Sequence, residues 1–289
     1  MSKIVNAMSI DVEDYFQVAS LSSQIKPEEW DKHDAGRVVD NTHRIMDLFD
    51  EANIKATFFT LGWVAERYPD LVKDIDARGH EVASHGYSHQ LIYKQTPEVF
   101  REETLKSKKI LEDIIQKPIR GYRAASYSIT NQSLWAIDTL IEAGFEYDSS
   151  IFPVNHDVYG IPDFPKYPHV YKASATGDIV EFPISSVKFL GYQLPIAGGG
   201  YFRLYPYWFT RFGLNKLNRT GDEFVFYLHP WEVDPDQPRV EGVSWKSKFR
   251  HYNNLGKCLH RLRRLVNDFE FTTVEKLLEQ KQLLSASNQ

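Results

Sequence analysis

Short apolar runs alternate with amphipathic stretches through the first half of the chain. Runs of β-branched and aromatic residues predict strands, whereas apolar positions spaced three and four apart predict helices. The predicted strands cover residues 4–10, 56–62, 81–83, 119–122 and 145–147. The predicted helices cover residues 38–52, 63–78, 96–115 and 131–143. This alternation of strand and helix is typical of an α/β fold with a parallel sheet.

The second half of the chain is less regular. Residues 153–170 are rich in proline and aromatic residues and predict a long ordered loop. The glycines of residues 197–203 predict a hinge and not a phosphate site, because no GxGxxG or Walker pattern surrounds them. The other predicted elements are strands at 179–184, 224–228 and 269–272, a polar loop at 234–248, and helices at 255–266 and 274–284.

Polar side chains stand at the ends of the predicted strands. In α/β folds, ligands bind at the carboxyl ends of the strands. Because these ends meet at one mouth of a parallel barrel, we expect the side chains there to converge. In chain order they are Asp11, Glu13, Asp14, His85, His89, Arg123, Asp148 and His229.

His85 and His89 are candidate metal ligands. Both imidazoles point the same way if the stretch 84–89 is helical or forms one tight turn. Two histidines and one carboxylate leave a coordination position for water, which is typical of a catalytic metal site and not of a structural one. This ligand set suits a divalent metal such as Zn, and Co, Ni and Mn are also compatible.

A metal at this mouth predicts amide hydrolysis. The cation lowers the pKa of bound water and polarises a carbonyl oxygen. A second carboxylate can take the proton of that water, and a histidine from another strand, His229, can protonate the leaving amine.

The third metal ligand has two candidates. Strand periodicity places Asp11 and Glu13 on one face and Val12 on the other. We therefore predict Asp11 as the base and Glu13 as the metal ligand. If the chain turns sharply after Val12, Asp14 becomes the ligand instead.

In order and spacing, these motifs resemble those of the polysaccharide deacetylase superfamily (NodB homology, carbohydrate esterase family 4). The stretch 84–89 resembles its metal-binding histidine motif, and residues 121–125 resemble its groove motif. Residues 148–150 and 228–230 are similar to its last two motifs. The resemblance covers residues 4–232.

The first motif departs from the common pattern of two adjacent aspartates, since the sequence reads Asp11-Val12-Glu13-Asp14. This variant is more similar to the branch that includes allantoinase-like enzymes and certain peptidoglycan deacetylases. The closest likeness is to deacetylases encoded with bacterial exopolysaccharide export systems, which carry a C-terminal extension.

The resemblance implies a distorted parallel (β/α) barrel of the NodB-homology type over residues 1–232. Residues 233–289 would be an α/β extension packed on the barrel, not an independent domain. The resemblance also implies metal-dependent removal of acetyl groups from an N-acetylated glycan. In this family pattern Arg123 would pair with Asp11, and Asp148 would orient His229 as the general acid.

Composition and charge narrow the cellular setting. The chain is 42% hydrophobic and 25% charged, as expected of a soluble globular protein. A net charge of -5 argues against a nucleic-acid partner. One cysteine, Cys258, permits no intramolecular disulfide, and no apolar run is long enough for a transmembrane segment. Without an apolar leader, the expected location is cytoplasmic.

The basic helix at 255–266 is compatible with peripheral contact with the inner face of the membrane, where a lipid-linked precursor could be the substrate. Two other functions use the same pattern: a C–N hydrolase of a small cyclic amide, similar to allantoinase, and a non-catalytic carbohydrate-binding relative. The full set of catalytic residue types argues against the second. The sequence leaves the oligomeric state open.

Overall fold

A computed structural model describes residues 4–156, 159–173 and 177–286 of the protein. The strands are β1 Val5–Val12, β2 Thr57–Thr60, β3 Glu81–Ser84, β4 Gly121–Tyr122, β5 Tyr147–Asp148, β6 His169–Ala173, β7 Gly177–Glu181, β8 Ser186–Phe189, β9 Tyr192–Pro195, β10 Val225–Leu228 and β11 Glu270–Thr272. The helices are α1 Trp30–His33, α2 Arg37–Glu51, α3 Gly62–Arg67, α4 Pro69–Ala77, α5 Pro97–Ile115, α6 Trp135–Glu142, α7 Gly199–Leu204, α8 Tyr207–Arg219, α9 Trp245–Tyr252, α10 Leu255–Asp268 and α11 Val274–Gln280. Residues 157–158 of the predicted loop and the chain ends 1–3 and 287–289 lie outside the described residues.

The strands form one twisted sheet in the order β10-β1-β2-β3-β4-β5-β7-β6. All neighbouring strands in this order are parallel except β6 and β7, which are antiparallel. Parallel neighbours need crossover connections, and helices α2 to α6 supply them for β1 to β5. The predicted α/β class with a parallel sheet is confirmed. Within the described ranges, no helix combines the length and apolar content that a membrane crossing needs.

The two sides of the sheet are joined by the segment between β7 and β10. The Val225 amide donates to Ser185 Oγ at 3.0 Å, and the Tyr227 amide donates to the Ala197 carbonyl at 3.0 Å. Gly198 has φ 135°, and a Cβ at this residue would lie 1.9 Å from the Tyr227 carbonyl oxygen. The chain can pass this close to β10 only with glycine. The glycine run therefore helps to curl the sheet towards a barrel.

Several elements in the second half differ from the predictions. The hairpin β8–β9 and helix α8 were not predicted, and the 153–170 loop ends in the edge strand β6. The predicted glycine hinge continues into the short helix α7. The predicted polar loop 234–248 ends at α9, whose first turn is capped by Ser244 Oγ accepting from the Ser247 amide at 3.2 Å.

The C-terminal extension packs on the barrel and shares its sheet. Strand β11 pairs with residues 5–7 of β1. Glu81 accepts a hydrogen bond from the Glu275 amide at 3.1 Å, and Arg120 pairs with Glu275 and Glu279 at 2.5 and 2.9 Å. Arg261 of α10 donates to two carbonyls of α7 at 2.8 Å. The domain boundary at residue 232 stays a prediction.

Candidate active site

The carboxyl ends of β1, β3, β4 and β10 bring most of the predicted site residues together. Arg123 Nη1 lies 2.7 Å from Asp11 Oδ1. His229 Nε2 lies 3.8 Å from Asp11 Oδ2 and 3.6 Å from Glu13 Oε1. The predicted convergence at one mouth is therefore present, although Asp14 and Asp148 take other positions.

Glu13, His85 and His89 form a group whose possible ligand atoms all lie within 4.8 Å of one another. His85 Nδ1 lies 2.8 Å from the Arg123 carbonyl oxygen. Because a carbonyl only accepts, Nδ1 carries the proton and Nε2 keeps a lone pair for a cation. Burial lowers the pKa of His85 to about 4, so its ring is neutral at pH 7.

The contact between Glu13 and His89 supports a bound cation. Glu13 Oε2 and His89 Nε2 are 2.7 Å apart, yet Oε2 has no hydrogen-bond donor among the described residues. Burial raises the pKa of Glu13, but the charge of His89 and its close contact with the carboxylate, with smaller effects from His229 and His85, outweigh burial and lower the pKa to about 2. A buried carboxylate oxygen 2.7 Å from an imidazole nitrogen, outside the geometry of a hydrogen bond, fits two ligands of one divalent metal.

The histidine stretch forms a tight turn after β3 and not a helix. His89 has φ 53° and Gly86 has φ 73°, both in the left-handed region. The Gly86 carbonyl accepts from the Gly62 amide at 2.8 Å and from Ser107 Oγ at 2.9 Å. A left-handed conformation at a residue such as His89 costs about 1–3 kcal/mol and is typical of functional sites.

Asp14 caps a helix. Its Oδ1 accepts from the Tyr15 amide at 2.7 Å, and its Oδ2 accepts from the Val38 amide at 3.0 Å in the first turn of α2. Both oxygens are therefore engaged by backbone away from the histidines. This geometry favours Glu13 over Asp14 as the third ligand.

Asp11 is held from one side by Arg123, as the family pattern implied. The buried guanidinium also donates to Ser9 Oγ at 2.7 Å and to Ser149 Oγ at 3.0 Å, so its plane is fixed. Tyr127, which the sequence did not suggest, places its hydroxyl 3.4 Å from Asp11 Oδ2. Tyr127 also has a left-handed φ of 55°.

The structure corrects the predicted partner of His229. His229 Nδ1 lies 2.9 Å from Glu232 Oε2, and Glu232 also accepts from the His229 amide at 3.1 Å. Burial lowers the pKa of His229, but the hydrogen bond to Glu232 and the charges of Glu13, Glu232 and Asp11 outweigh it and raise the pKa to about 9. The local signal was the His-Pro-Trp-Glu sequence after β10, since residues i and i+3 of a 3₁₀ turn lie on one side.

Asp148 instead faces Glu181, its neighbour across β5 and β7, and Asp148 Oδ2 and Glu181 Oε2 have no hydrogen-bond donor among the described residues. Burial raises the pKa of both groups, that of Asp148 to about 6 and that of Glu181 well above its usual range. Ser150 Oγ donates to the other oxygen of Asp148. These contacts engage Asp148 within β5. In the sheet order, strands β1 to β4 lie between β5 and β10, the strand that precedes His229.

Arg203, on α7, was also not suggested by the sequence. Arg203 Nε lies 2.6 Å from Glu232 Oε1. Its Nη atoms donate to three carbonyls at the end of α9, at 2.8 to 3.0 Å. The charge of Arg203 and the proton of His229 hold the pKa of Glu232 at about 2 against the effect of burial. No local pattern could have revealed this residue, because every partner is distant in sequence.

Trp231 connects the ligand group with the C-terminal extension. Its Nε1 donates to Glu13 Oε1 at 3.1 Å. Its ring stacks on His251 at a centroid distance of 4.4 Å and an angle of 9°. His251 Nε2 in turn lies 2.7 Å from Gln237 Oε1. Residues of the extension thus fix the orientation of a candidate metal ligand.

A cleft of about 820 Å³ opens beside this site, with His89 and Trp231 in its wall. Its volume is in the range of small-ligand sites. Phe16 and Trp30 line one side, and Phe249 of α9 lines another. The cleft therefore lies between the segment after β1 and the C-terminal extension.

A family profile described as polysaccharide deacetylase matches residues 30–146. The chain carries a polysaccharide deacetylase domain. A second profile, a domain of unknown function (DUF3473), matches residues 149–279. The deacetylase match contains His85, His89 and Arg123, whereas the second match contains His229. The candidate site thus combines residues of both matched segments with Asp11 and Glu13, which precede them in the chain. Asp11 lies in β1, and Glu13 follows the end of β1.

Known proteins agree with this assignment. A peptidoglycan-N-acetylglucosamine deacetylase of Bacillus cereus is 28% identical over 131 residues, which are 40% of this chain and 46% of that protein. The chain thus spans less than half the length of this relative. A putative polysaccharide deacetylase from Mycobacterium smegmatis has a similar fold, with a TM-score of 0.64 at 19% identity, over 100% of this chain and 97% of the other. An allantoinase has a TM-score of 0.65 at 14% identity, over 98% and 91%. The NodB-type barrel is therefore confirmed.

Proposed function

We propose that this protein is a metal-dependent N-deacetylase, a hydrolase that releases acetate from the acetamido groups of an N-acetylated glycan. The observation that supports this most strongly is that Asp11 and His229 lie beside the Glu13, His85 and His89 group, with His229 Nε2 3.8 Å from Asp11 Oδ2 and 3.6 Å from Glu13 Oε1. A base and an acid beside three metal-ligand side chains are the equipment for amide hydrolysis. The deacetylase domain supports the same reaction class.

Glu13, His85 and His89 are the residues that would hold the metal. Once bound there, a divalent cation such as Zn, Co, Ni or Mn would supply Lewis acidity and a water of lowered pKa. The lone pair on His85 Nε2 and the unpartnered Oε2 of Glu13 both fit this use.

The remaining steps belong to side chains of the chain itself. Asp11 takes the proton of the attacking water, and Arg123 keeps this carboxylate in place through its 2.7 Å contact. His229 directs Nε2 towards Asp11 and Glu13 because Glu232 holds Nδ1. A protonated Nε2 then gives its proton to the amine as the C–N bond breaks. Glu232 takes the orienting role that the family pattern had assigned to Asp148.

The substrate we propose is a polymer or an extended precursor, such as an intermediate of exopolysaccharide synthesis. Aromatic side chains can present flat faces to sugar rings, and the exposed Phe249 and the half-buried Tyr93 and Tyr201 line the cleft. Tyr122 does not take part, because it is buried against Phe100 and Phe145. A small cyclic amide is the less favoured substrate, since the likeness to an allantoinase extends to the fold alone.

Acetate release from chitooligosaccharides, measured before and after chelation and after metal is restored, tests the proposal. We expect activity to disappear with chelator and to return with a divalent metal. Allantoin serves as the control substrate. Metal-free protein that stays inactive on every glycan under all metal supplements would overturn the proposal.

Asp11→Asn tests the assignment of base and ligand. The variant should lose turnover by about 10²–10⁴-fold, the usual contribution of a general base, and keep its metal. Glu13→Gln should lose the metal. If Asp11→Asn released the metal and Glu13→Gln retained it, the two roles would be reversed.

A further inference from the structure

Residues 182–221 contain neither aspartate nor glutamate, although the whole chain has a net charge of -5. This segment includes the hairpin β8–β9 and the helices α7 and α8. Its cations are Lys188, Arg203, Arg211, Lys216 and Arg219. The segment is therefore a cationic region in an anionic protein.

The same segment exposes large apolar side chains. Leu190 and Tyr192 at the hairpin are 82% and 74% exposed, and Trp208 and Phe212 on α8 are 68% and 49% exposed. The hairpin and the helix are in contact, because the ring of Phe189 lies 6.5 Å from that of Phe212. Contiguous exposed apolar surface of this kind marks an interaction site.

Cations stand among these aromatic side chains. Lys216 Nζ, one helical turn after Phe212, donates to the Lys188 carbonyl at 2.7 Å. Lys188, Lys216 and Arg219 form no ion pair with any carboxylate of the described residues, whereas Arg211 pairs with Asp268 at 3.0 Å. The three unpaired cations remain available to an anionic partner.

We propose that this surface, formed by the β8–β9 hairpin and the exposed side of α8, binds an anionic phospholipid bilayer. Tryptophan and tyrosine side chains favour the boundary between headgroups and acyl chains. Lysine and arginine beside them are attracted to anionic lipids. Self-association explains the surface less well, because a two-fold interface would bury this segment of both copies, which has no carboxylate to pair with its cations.

The tail helix α10, whose basic run suggested membrane contact, does not supply this surface. Arg261 donates to carbonyls of α7, and Arg263 pairs with Glu51. Leu204 lies at the end of α7, is 44% exposed and also lines the cleft. Tyr201 also lines the cleft, and its ring contacts that of Tyr205, which in turn contacts Phe209 of α8. The bilayer-binding surface is therefore connected to the cleft wall, so a glycan attached to a membrane lipid could enter it. This last consequence rests on the proposed deacetylase function, whereas bilayer binding itself does not.

Co-sedimentation of the full chain with phospholipid vesicles tests the proposal without turnover. We expect binding to vesicles that contain phosphatidylglycerol, little binding to pure phosphatidylcholine, and weaker binding at high salt. The double variant Lys216→Glu/Arg219→Glu should lower the partition coefficient by at least roughly 25-fold, since each Lys or Arg contributes about fivefold. Trp208→Ser/Phe212→Ser should also bind less.

Lys109→Glu and Leu105→Ser on the distant helix α5 are matched controls, because both side chains are exposed there. They should bind as the wild type does, and all variants should unfold at the same temperature. Equal binding to both vesicle types, or binding that survives both double variants, would overturn the proposal. So would a dimer in sedimentation velocity that Trp208→Ser/Phe212→Ser dissociates while vesicles bind no protein. Acetate release from a soluble oligosaccharide should be unchanged in the double variants, which separates this proposal from the deacetylase function.

Discussion

Arg203 and Glu232 form an ion pair at 2.6 Å in which both side chains are almost fully buried, at 1% and 0% exposure. One end of the pair reaches His229, and the other reaches the carbonyls at the end of α9. Arg203, Glu232 and α9 all lie within residues 149–279, the segment that matches the domain of unknown function, so this pair adds to the part of that segment in the candidate site. It would position His229 without touching the substrate.

Replacing Glu232 with glutamine should lower kcat for an acetamido sugar by about 10–100-fold, as expected when an orienting partner is lost. Activity on an activated aryl acetate should change much less, because its leaving group needs no proton. The measurement is kcat for both substrates. Arg203→Lys, which keeps the charge, should also lower kcat more for the acetamido sugar than for the aryl acetate, but by a smaller factor.

Glu223→Gln is the control for that comparison, because Glu223 pairs with Lys281 at the surface. It should leave both activities unchanged. An equal loss on both substrates in Glu232→Gln would indicate a general loss of structure and would contradict a positioning role.

Trp231→Phe should weaken metal binding by about 10–100-fold, the usual effect of losing a partner of a metal ligand. Phenylalanine can still stack on His251, but it cannot donate to Glu13 Oε1. Competition with a chromogenic chelator measures the affinity. Trp245→Phe, on an exposed side chain, is the control. Unchanged affinity in Trp231→Phe would mean that this hydrogen bond does not orient Glu13.

Glu81 should make the free energy of unfolding depend on pH. Burial, with the charge of Glu275, raises the pKa of Glu81 from 4.5 to about 7 in the folded protein. The folded state then holds this proton more tightly than the unfolded chain, so stability falls as pH rises from about 4.5 to about 7.

Glu81→Gln should remove that dependence, because the amide resembles the protonated carboxyl and can still bond Thr57 and Tyr147. We expect the free energy of unfolding of the variant to exceed that of the wild type by on the order of 1–3 kcal/mol at pH 8, and to equal it at pH 4. Urea unfolding at both pH values is the measurement. A constant difference between the two proteins at all pH values would show that folding does not shift the pKa of Glu81.

Gly198→Ala should destabilise the protein by more than about 4 kcal/mol, because the new methyl group would overlap the Tyr227 carbonyl oxygen. Gly191→Ala separates the clash from backbone strain. Gly191 also has a positive φ, of 87°, but nothing lies within 4 Å of its Cβ position. We expect that variant to lose roughly 1–3 kcal/mol. Thermal unfolding of both proteins tests this, and equal losses would rule out the clash as the cause.

Local pattern was sufficient to predict the main elements and the residues at the strand ends. The spacing of apolar residues depends on the helix or strand period, so α2, α5 and β1 were recognisable without tertiary information. Helix α8 was not, because its exposed side also carries aromatic residues and the apolar period is hidden.

The sequence by itself determined that polar groups from several strand ends meet at the mouth of the barrel, because parallel strands must deliver their ends to one side. It left Glu13 and Asp14 as competing ligands, and the family resemblance implied Asp148 as the partner of His229. Only the tertiary structure distinguishes these alternatives. The Tyr15 amide and the Val38 amide at the start of α2 engage the two oxygens of Asp14, and the turn after β10 brings Glu232 to His229. Such choices depend on which buried polar group meets which partner, and contacts between residues far apart in the chain determine that.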